Sequence, residues 1–173
     1  FARDGFDRVT MRRVAERIPI IFPIHPRTRK QIATFGLEGA FRFHQGRTAP
    51  LFSPATEDRR GEGRPGGIHC LEPLGYLEFL NLMAHARIVL TDSGGIQEET
   101  TVLDIPCVTI RDTTERPITL TEGTNVLVGD DPERIVAAAE RALSGQSRRG
   151  RCPAIWDGHT AERIVSILAA GEK

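Results

Sequence analysis

Cysteine is scarce in this 173-residue chain: Cys70, Cys107 and Cys152 are far apart, odd in number and nowhere arranged as CxxC. That excludes a disulfide framework and fits a reducing compartment. Net charge is lacking too, since 23 Lys and Arg balance 23 Asp and Glu. No global field therefore draws the chain to nucleic acid or to an anionic membrane, and any anion site has to be local. No apolar run approaches the roughly 18 residues of a membrane span, and no stretch reads as a signal peptide. The expectation is a cytoplasmic protein. HExxH, an Asp/His cluster and paired cysteines are all missing, so no metal is implied. GxSxG is missing as well, which leaves a serine hydrolase without support. The chain begins at Phe1 in what looks like the approach to a helix, and we expect it to be a fragment of something longer.

What is present is an ordinary soluble composition, 39% apolar and 27% charged, long enough for one domain with a proper core. Residues 7–18 carry Val9, Met11, Val14 and Ile18 at roughly helical spacing, and Pro19 ends that helix. The apolar stretch 18–25, IPIIFPIH, reads as a strand whose exit, HPRTRK, turns polar and basic. Residues 36–67 are rich in Gly, Pro and Arg without a sustained period, and most of them read as loop or disorder. Their arginines are interleaved with Glu57, Asp58 and Glu62, which favours a solvated linker over a nucleic-acid surface. Strand GIHCLEPL follows, then an amphipathic helix over 75–86 with Tyr76, Phe79, Leu80 and Met83 on one face. RIVLTD and IPCVTIRD read as strands flanking a helix over 94–104, and Cys107 in the second of them as a small apolar filler. TNVLVG is the next strand. Residues 131–145 form a well-marked helix with Asp131 as N-cap, Pro132 in first position and Gly145 beyond its end. A last helix covers 158–171. Strand and helix alternate throughout, so the fold class is α/β, a Rossmann-like parallel sheet with helices on both faces.

In such sheets ligands gather beyond the carboxyl ends of strands. The stretch TDSGGIQEET, residues 91–100, leaves a strand there and enters a helix. The first N–H groups of a helix have no intrahelical partner, and the dipole adds about half a positive charge at that end. Gly94 and Gly95 leave the approach open, and the Ser93 hydroxyl can donate to a phosphate oxygen. Ile96 stands three residues after Ser93, so no capping box competes. Glu99, further along, suits paired sugar hydroxyls, as acidic residues do in dinucleotide folds. An N-capping Ser93 and a solvated Glu98–Glu99 pair are the structural alternative. Arg111 and Arg116, in RDTTERP, open onto the same edge and can meet a diphosphate or pair with Glu99. His25, at the end of the first strand, is either a ligand contact or a structural residue.

Taken together, EPLGYLEFLNLM, LTDSGGIQEE, RDTTERP, GTNVLVG and DGHTAERIVSIL resemble the non-hydrolysing UDP-N-acetylglucosamine 2-epimerases, over roughly residues 7–35 and 68–170. The resemblance implies one half of a glycosyltransferase-B type fold, in which two Rossmann-like domains hold a UDP-sugar between them. It implies interconversion of UDP-GlcNAc and UDP-ManNAc by anti elimination of UDP through 2-acetamidoglucal and re-addition. No metal or cofactor is implied, nor a nucleic-acid or membrane partner. A homodimer is, and so is supply of cell-surface polysaccharide. By position, Ser93, Gly94 and Gly95 match the diphosphate residues, Glu99 the ribose ligand, Arg116 a UDP-site arginine, and Phe79 and Leu74 the surroundings of the base, Leu74 through its backbone. His25 matches a histidine of a second, allosteric UDP-GlcNAc site. Residues 1–173 then form a C-terminal UDP-binding domain with 36–67 as a loop-like insertion, from lineage or from a defective gene model. The family's catalytic carboxylates and its His-Arg-x-Glu-Asn motif belong to an N-terminal domain that has no match here. No catalytic residue is assigned in this chain, and alone it is expected to be inactive. A glycosyltransferase-B type transferase and a non-catalytic UDP-sugar-binding module are the alternatives.

Overall fold

A computed structural model describes residues 8–45 and 67–171. Helix α1 (Arg8–Ala15) leads into strand β1 (Ile20–Pro23), helix α2 (Pro26–Thr34), a single 3-10 turn at Glu38–Ala40 and strand β2 (Phe41–Phe43). Strand β3 (Ile68–Leu71), helix α3 (Tyr76–Ala84), strand β4 (Val89–Thr91) and helix α4 (Gly94–Leu103) follow. Strand β5 (Cys107–Thr109), helix α5 (Pro117–Thr121), strand β6 (Asn125–Leu127) and helices α6 (Pro132–Leu143) and α7 (Thr160–Ala170) complete the order. The strands form two three-stranded sheets, β1-β3-β2 and β4-β5-β6. Every pairing is parallel, from Ile20 opposite Ile68 to Cys107 opposite Asn125.

Several features of this order differ from the sequence reading, among them α5, whose five residues are too few to show a period, and the division of the strands between two sheets. Helix α2 was not anticipated because its face is polar, with only Ile32 buried. Its start is nevertheless well marked: Pro26 fills the first turn, where a missing N–H costs nothing, and His25 Nδ1 accepts the Arg27 N–H at 3.2 Å. The supposed loop 36–67 contains the Glu38–Ala40 turn and β2, whose Phe-Arg-Phe is too short to show a period but pairs with β3. Residues 46–66 of that stretch lie outside the described residues. Helix α1 stops at Ala15 rather than at Ile18, a full turn before Pro19 would force it to.

The core is built where α1 and α6 meet. Val14 of α1 packs with Val136 and Ala139 of α6, while Met11 and Ala15 pack on Ile68 of β3. Ile135 and Ala138 cover Val108 and Val128. Leu90 of β4 packs against all three of these clusters, and Ile20 of β1 against two, so the apolar faces of the two sheets are joined beneath one helix pair. Helix α6 earns this position by a sharply divided sequence: Ile135, Val136, Ala138, Ala139 and Ala142 are buried, and Asp131 Oδ1 caps the N–H groups of Glu133 and Arg134. Because side chains alternate along a strand, Cys107 and Thr109 point away from α6, toward α4, which packs on β4, β5 and β6 from the other side. The sheet β4-β5-β6 thus carries helices on both faces, as the sequence alternation implied.

Two measurements check this packing. Ile135 is 0% exposed, so Ile135→Ala should destabilise by about 2–5 kcal/mol in denaturant titration. Burial pushes the Cys70 thiol up to about 11 and raises that of Cys107, whereas Cys152 is exposed. Since the thiolate is the reactive form, a thiol reagent at neutral pH should label Cys152 fast and the other two only after denaturation.

Candidate functional site

The carboxyl ends of β4 and β5 open onto two loops that face each other, 92–93 before α4 and 110–116 before α5. Ser93 stands at the N-cap of α4 with extended backbone, φ −86° and ψ 129°, yet its hydroxyl makes no capping hydrogen bond. Its own N–H is held by Thr91 Oγ1 at 3.0 Å. The helix end is therefore uncapped by Ser93, and two glycines bare its first turn. Ser93 thus holds the N-cap position of the structural alternative but makes no capping hydrogen bond.

Besides the exposed Asp92 beside Ser93, four charges lie around this end. Arg111 Nη1 pairs with Glu115 Oε2 at 3.2 Å, and Arg116 Nε lies 3.0 Å from Glu98 Oε1. The second contact is an ion pair without hydrogen-bond alignment, because Arg116 Nε has no hydrogen-bond partner in the geometric sense. Arg116 thus pairs with Glu98 and not with Glu99, correcting one sequence expectation: Glu98 is the residue of the Glu-Glu step that reaches loop 110–116. Glu115 leans over the helix end so closely that a Cβ on Gly94 would stand 2.5 Å from its Oε1. Its carboxyl is held below the usual carboxylate range, first by its own backbone N–H and then by the Arg111 and Arg116 guanidiniums.

Beneath the charged surface is a buried polar layer that sequence reading missed. Gln97, 0% exposed, accepts at Oε1 from the Thr114 hydroxyl at 2.6 Å and from Asn125 Nδ2 at 3.0 Å. The Asn125 amide also donates to Thr119 Oγ1 at 3.2 Å, and its Oδ1 accepts from Thr109 at 2.6 Å. Thr119 gives its hydroxyl proton to the Arg116 carbonyl and can only accept from Asn125, so the Asn125 nitrogen faces Thr119 and Gln97 and its oxygen faces Thr109, which fixes the Gln97 amide too. Thr114 Oγ1 accepts in turn from the Arg116 N–H at 3.0 Å, and Thr119 donates to the Arg116 carbonyl at 2.8 Å. The backbone of Arg116 is clamped on both sides. A signal for this layer existed: Gln97, Thr100 and Thr101 fall at i, i+3 and i+4 on one helix face. A hydrophobic-period reading passes over them because they are polar.

The other expected residues stand further off. Leu74 and Phe79 are half-buried at the start of α3, whose N-terminal N–H at Gly75 is taken by Glu78 Oε2 at 2.8 Å, and α3 packs against α4. Glu99 is half-buried on α4, one residue beyond Glu98. His25 caps α2 beyond β1, in the other sheet, so a structural role for it is on view. Among the described residues no group of three or more His, Cys, Asp or Glu gathers to hold a metal ion.

The family model of UDP-N-acetylglucosamine 2-epimerase matches residues 8–169. A UDP-N-acetylglucosamine 2-epimerase of Methanocaldococcus jannaschii is 41% identical over 153 residues, 88% of this chain and 36% of that protein. The enzyme of that name from Escherichia coli K12 is 42% identical over 111 residues, 61% of this chain and 29% of that protein. Among solved structures, the M. jannaschii UDP-GlcNAc 2-epimerase in complex with UDP-GlcNAc and UDP superposes with a TM-score of 0.62 and 34% identity, covering 98% of this chain and 43% of that one. The Neisseria meningitidis UDP-GlcNAc 2-epimerase bound to UDP-GlcNAc gives a TM-score of 0.65 at 26% identity, covering 94% and 39%. The parallel sheets with packed helices are those of these neighbours, so the chain has an α/β, GT-B-like fold. The chain belongs to the UDP-N-acetylglucosamine 2-epimerase family. It spans just over a third of the length of the M. jannaschii relative.

If Gln97 ties α4 to loop 110–116, Thr114→Val should cost about 1 kcal/mol of stability and speed amide exchange at Glu115 and Arg116. Gln97→Leu strands the Thr114 and Asn125 donors and should cost about 1–3 kcal/mol per orphaned group. Unchanged exchange in Thr114→Val would mean that the loop is held by something else.

Proposed function

We propose that this chain is the UDP-binding part of a UDP-GlcNAc 2-epimerase, gripping the diphosphate at the N-terminus of α4. The observation that carries the reading is the uncapped Ser93-Gly94-Gly95 end of α4, faced by Arg111 and Arg116 on a loop clamped to the same helix. Unpaired N–H groups, a helix dipole and two guanidiniums are what a pyrophosphate needs, and together they work in a chain of zero net charge. The M. jannaschii structure, similar over 98% of this chain, contains UDP-GlcNAc and UDP. That likeness supports UDP as the ligand, with Glu99 accepting from the ribose hydroxyls and Leu74 and Phe79 near the base.

In the reaction this implies, a base removes the C2 proton of the sugar as the C1–O bond to UDP breaks. The resulting 2-acetamidoglucal takes UDP back with a proton delivered to the opposite face of C2, interconverting UDP-GlcNAc and UDP-ManNAc. The share of this chain in that sequence is to hold the leaving group, neutralise the charge that grows on it, and keep it in place for re-addition. The proton transfers need a positioned acid and base. We assign no residue of this chain to them and place them in an N-terminal domain of the full-length enzyme, working as a homodimer. The chain alone is inactive in this reading.

Calorimetric titration with UDP tests the grip. Ser93→Ala and Glu99→Ala should each weaken binding by about 1–3 kcal/mol, the worth of a charge-assisted hydrogen bond. Unchanged affinity in both would make the SGG segment a structural turn and remove the basis for this reading.

A further inference from the structure

Glu115 is out of place at an anion site. A carboxylate beside a helix N-terminus repels a second anion brought to the same spot, and here one lies against the first turn of α4. Its Oε1 lies where a side chain on Gly94 would be, 2.5 Å from the ideal Cβ position, while its Oε2 takes Arg111 Nη1 at 3.2 Å. The turn that carries it is not free to drift, because Thr114 and Arg116 on either side are fastened to Gln97 and Thr119. The side chain itself is half exposed and can swing. Glu98 pairs with Arg116 on the other flank, without a hydrogen bond.

We propose that Glu115 is a built-in stand-in for the ligand's phosphate, an affinity-setting residue that lies against the first turn of α4 without capping it and holds Arg111 until a diphosphate displaces it. The proposal rests on the reading of α4 as a diphosphate site. Its chemistry is an exchange of anions. Empty, Arg111 is balanced by a carboxylate already in the chain. Filled, the carboxylate turns outward and the guanidinium goes to the pyrophosphate. Occupancy by Glu115 subtracts from the affinity of every anionic ligand and from none of the neutral ones. The penalty grows with the charge of the ligand, so a diphosphate loses more than a monophosphate. It also keeps the site from holding a released diphosphate too long.

The arrangement makes a prediction opposite in sign to a structural role. Glu115→Gln keeps the shape and loses the charge, and it should bind UDP roughly five- to tenfold more tightly than the unchanged chain. The gain should shrink as salt rises, since the removed repulsion is between half-exposed groups. Glu115→Asp, which keeps the charge but withdraws it from Gly94, should fall between the two. Uridine, which has no phosphate, should bind both equally. Calorimetric titrations of UDP and uridine into the full chain and the two variants, with melting temperatures measured alongside, read all of this. Equal or weaker UDP binding by Glu115→Gln, at an unchanged melting temperature, overturns the proposal and leaves the diphosphate site standing. A gain for uridine as large as that for UDP also overturns it, since charge would not be the cause. No UDP binding by any of the three at millimolar concentration overturns the reading of the site itself, and the proposal with it.

Discussion

A single fully buried amide, that of Gln97, decides how the working end of this fold is arranged. An amide taken out of water without partners costs about 1–3 kcal/mol on protein scales, and this one recovers the loss by accepting from two separate elements, Thr114 on the loop and Asn125 on β6. Each acceptance fixes a neighbour in turn. Asn125 is oriented by Thr109 and Thr119, and Thr114 by the N–H of Arg116. Helix α4, loop 110–116 and strands β5 and β6 are therefore held in one register by directional bonds, where apolar packing alone would let them slide. The amide has a remainder: Gln97 Nε2 is buried without a partner among the described residues. What the network visibly supplies is geometry, since its orphaned donor subtracts from stability.

The same sheet shows why polar residues were placed there. On one face of β4-β5-β6, Val108 and Val128 meet Ile135 and Ala138 in an apolar contact that stabilises without specifying a direction. On the other, Cys107, Thr109 and Asn125 meet the Gln97, Thr100 and Thr101 face of α4. Thr100 and Thr101 return their hydroxyls to the Ile96 and Gln97 carbonyls, which keeps that face satisfied inside the helix itself. The approach is also close: a Cβ on Gly123, just before β6, would stand 2.3 Å from Thr101 Oγ1, so only glycine lets the chain pass. Division of labour between the faces follows. The α6 side supplies the burial that folds the chain, and the α4 side supplies the angles that a charged ligand site requires.

Legibility in the sequence followed the same division. Elements that announce themselves by apolar period or by caps were read well: α6 from Asp131 and Pro132, α3 from its 0, 3, 4, 7 face, β4 and β5 from their β-branched runs. Elements stabilised by pairing or by one cap were missed, as with β2, whose three residues exist because β3 lies beside them, and α2, which buries only Ile32. The bare start of α4 at Ser93, Gly94 and Gly95 was legible because two glycines follow a strand there and no capping box is present. Gln97 and Thr114 were not, because a polar residue in a helix or loop is assumed to face water until tertiary contacts say otherwise. The choice of Glu98 over Glu99 as the partner of Arg116 is likewise a matter of rotation about the helix axis, about 100° per residue, and no spacing argument resolves it without the loop in place.

The zero net charge noted at the outset takes on meaning at this scale. A chain with no surplus positive field must collect its cations where an anion is wanted, and then prevent them from repelling one another while the place is empty. Arg111 and Arg116 stand on one short loop near the positive end of a helix, a concentration of like charge that would strain the loop if left alone. Glu115 and Glu98 cancel it through contacts of 3.2 and 3.0 Å between half-exposed groups. Pairs of this kind contribute only about 0–1 kcal/mol each, so they settle the empty loop without locking it. A buried pair would hold the arginines more firmly but would be costly to open, and breaking it would leave a charge stranded. Weak surface pairing above a rigid buried amide network is the combination that lets a site keep its shape and change its partner.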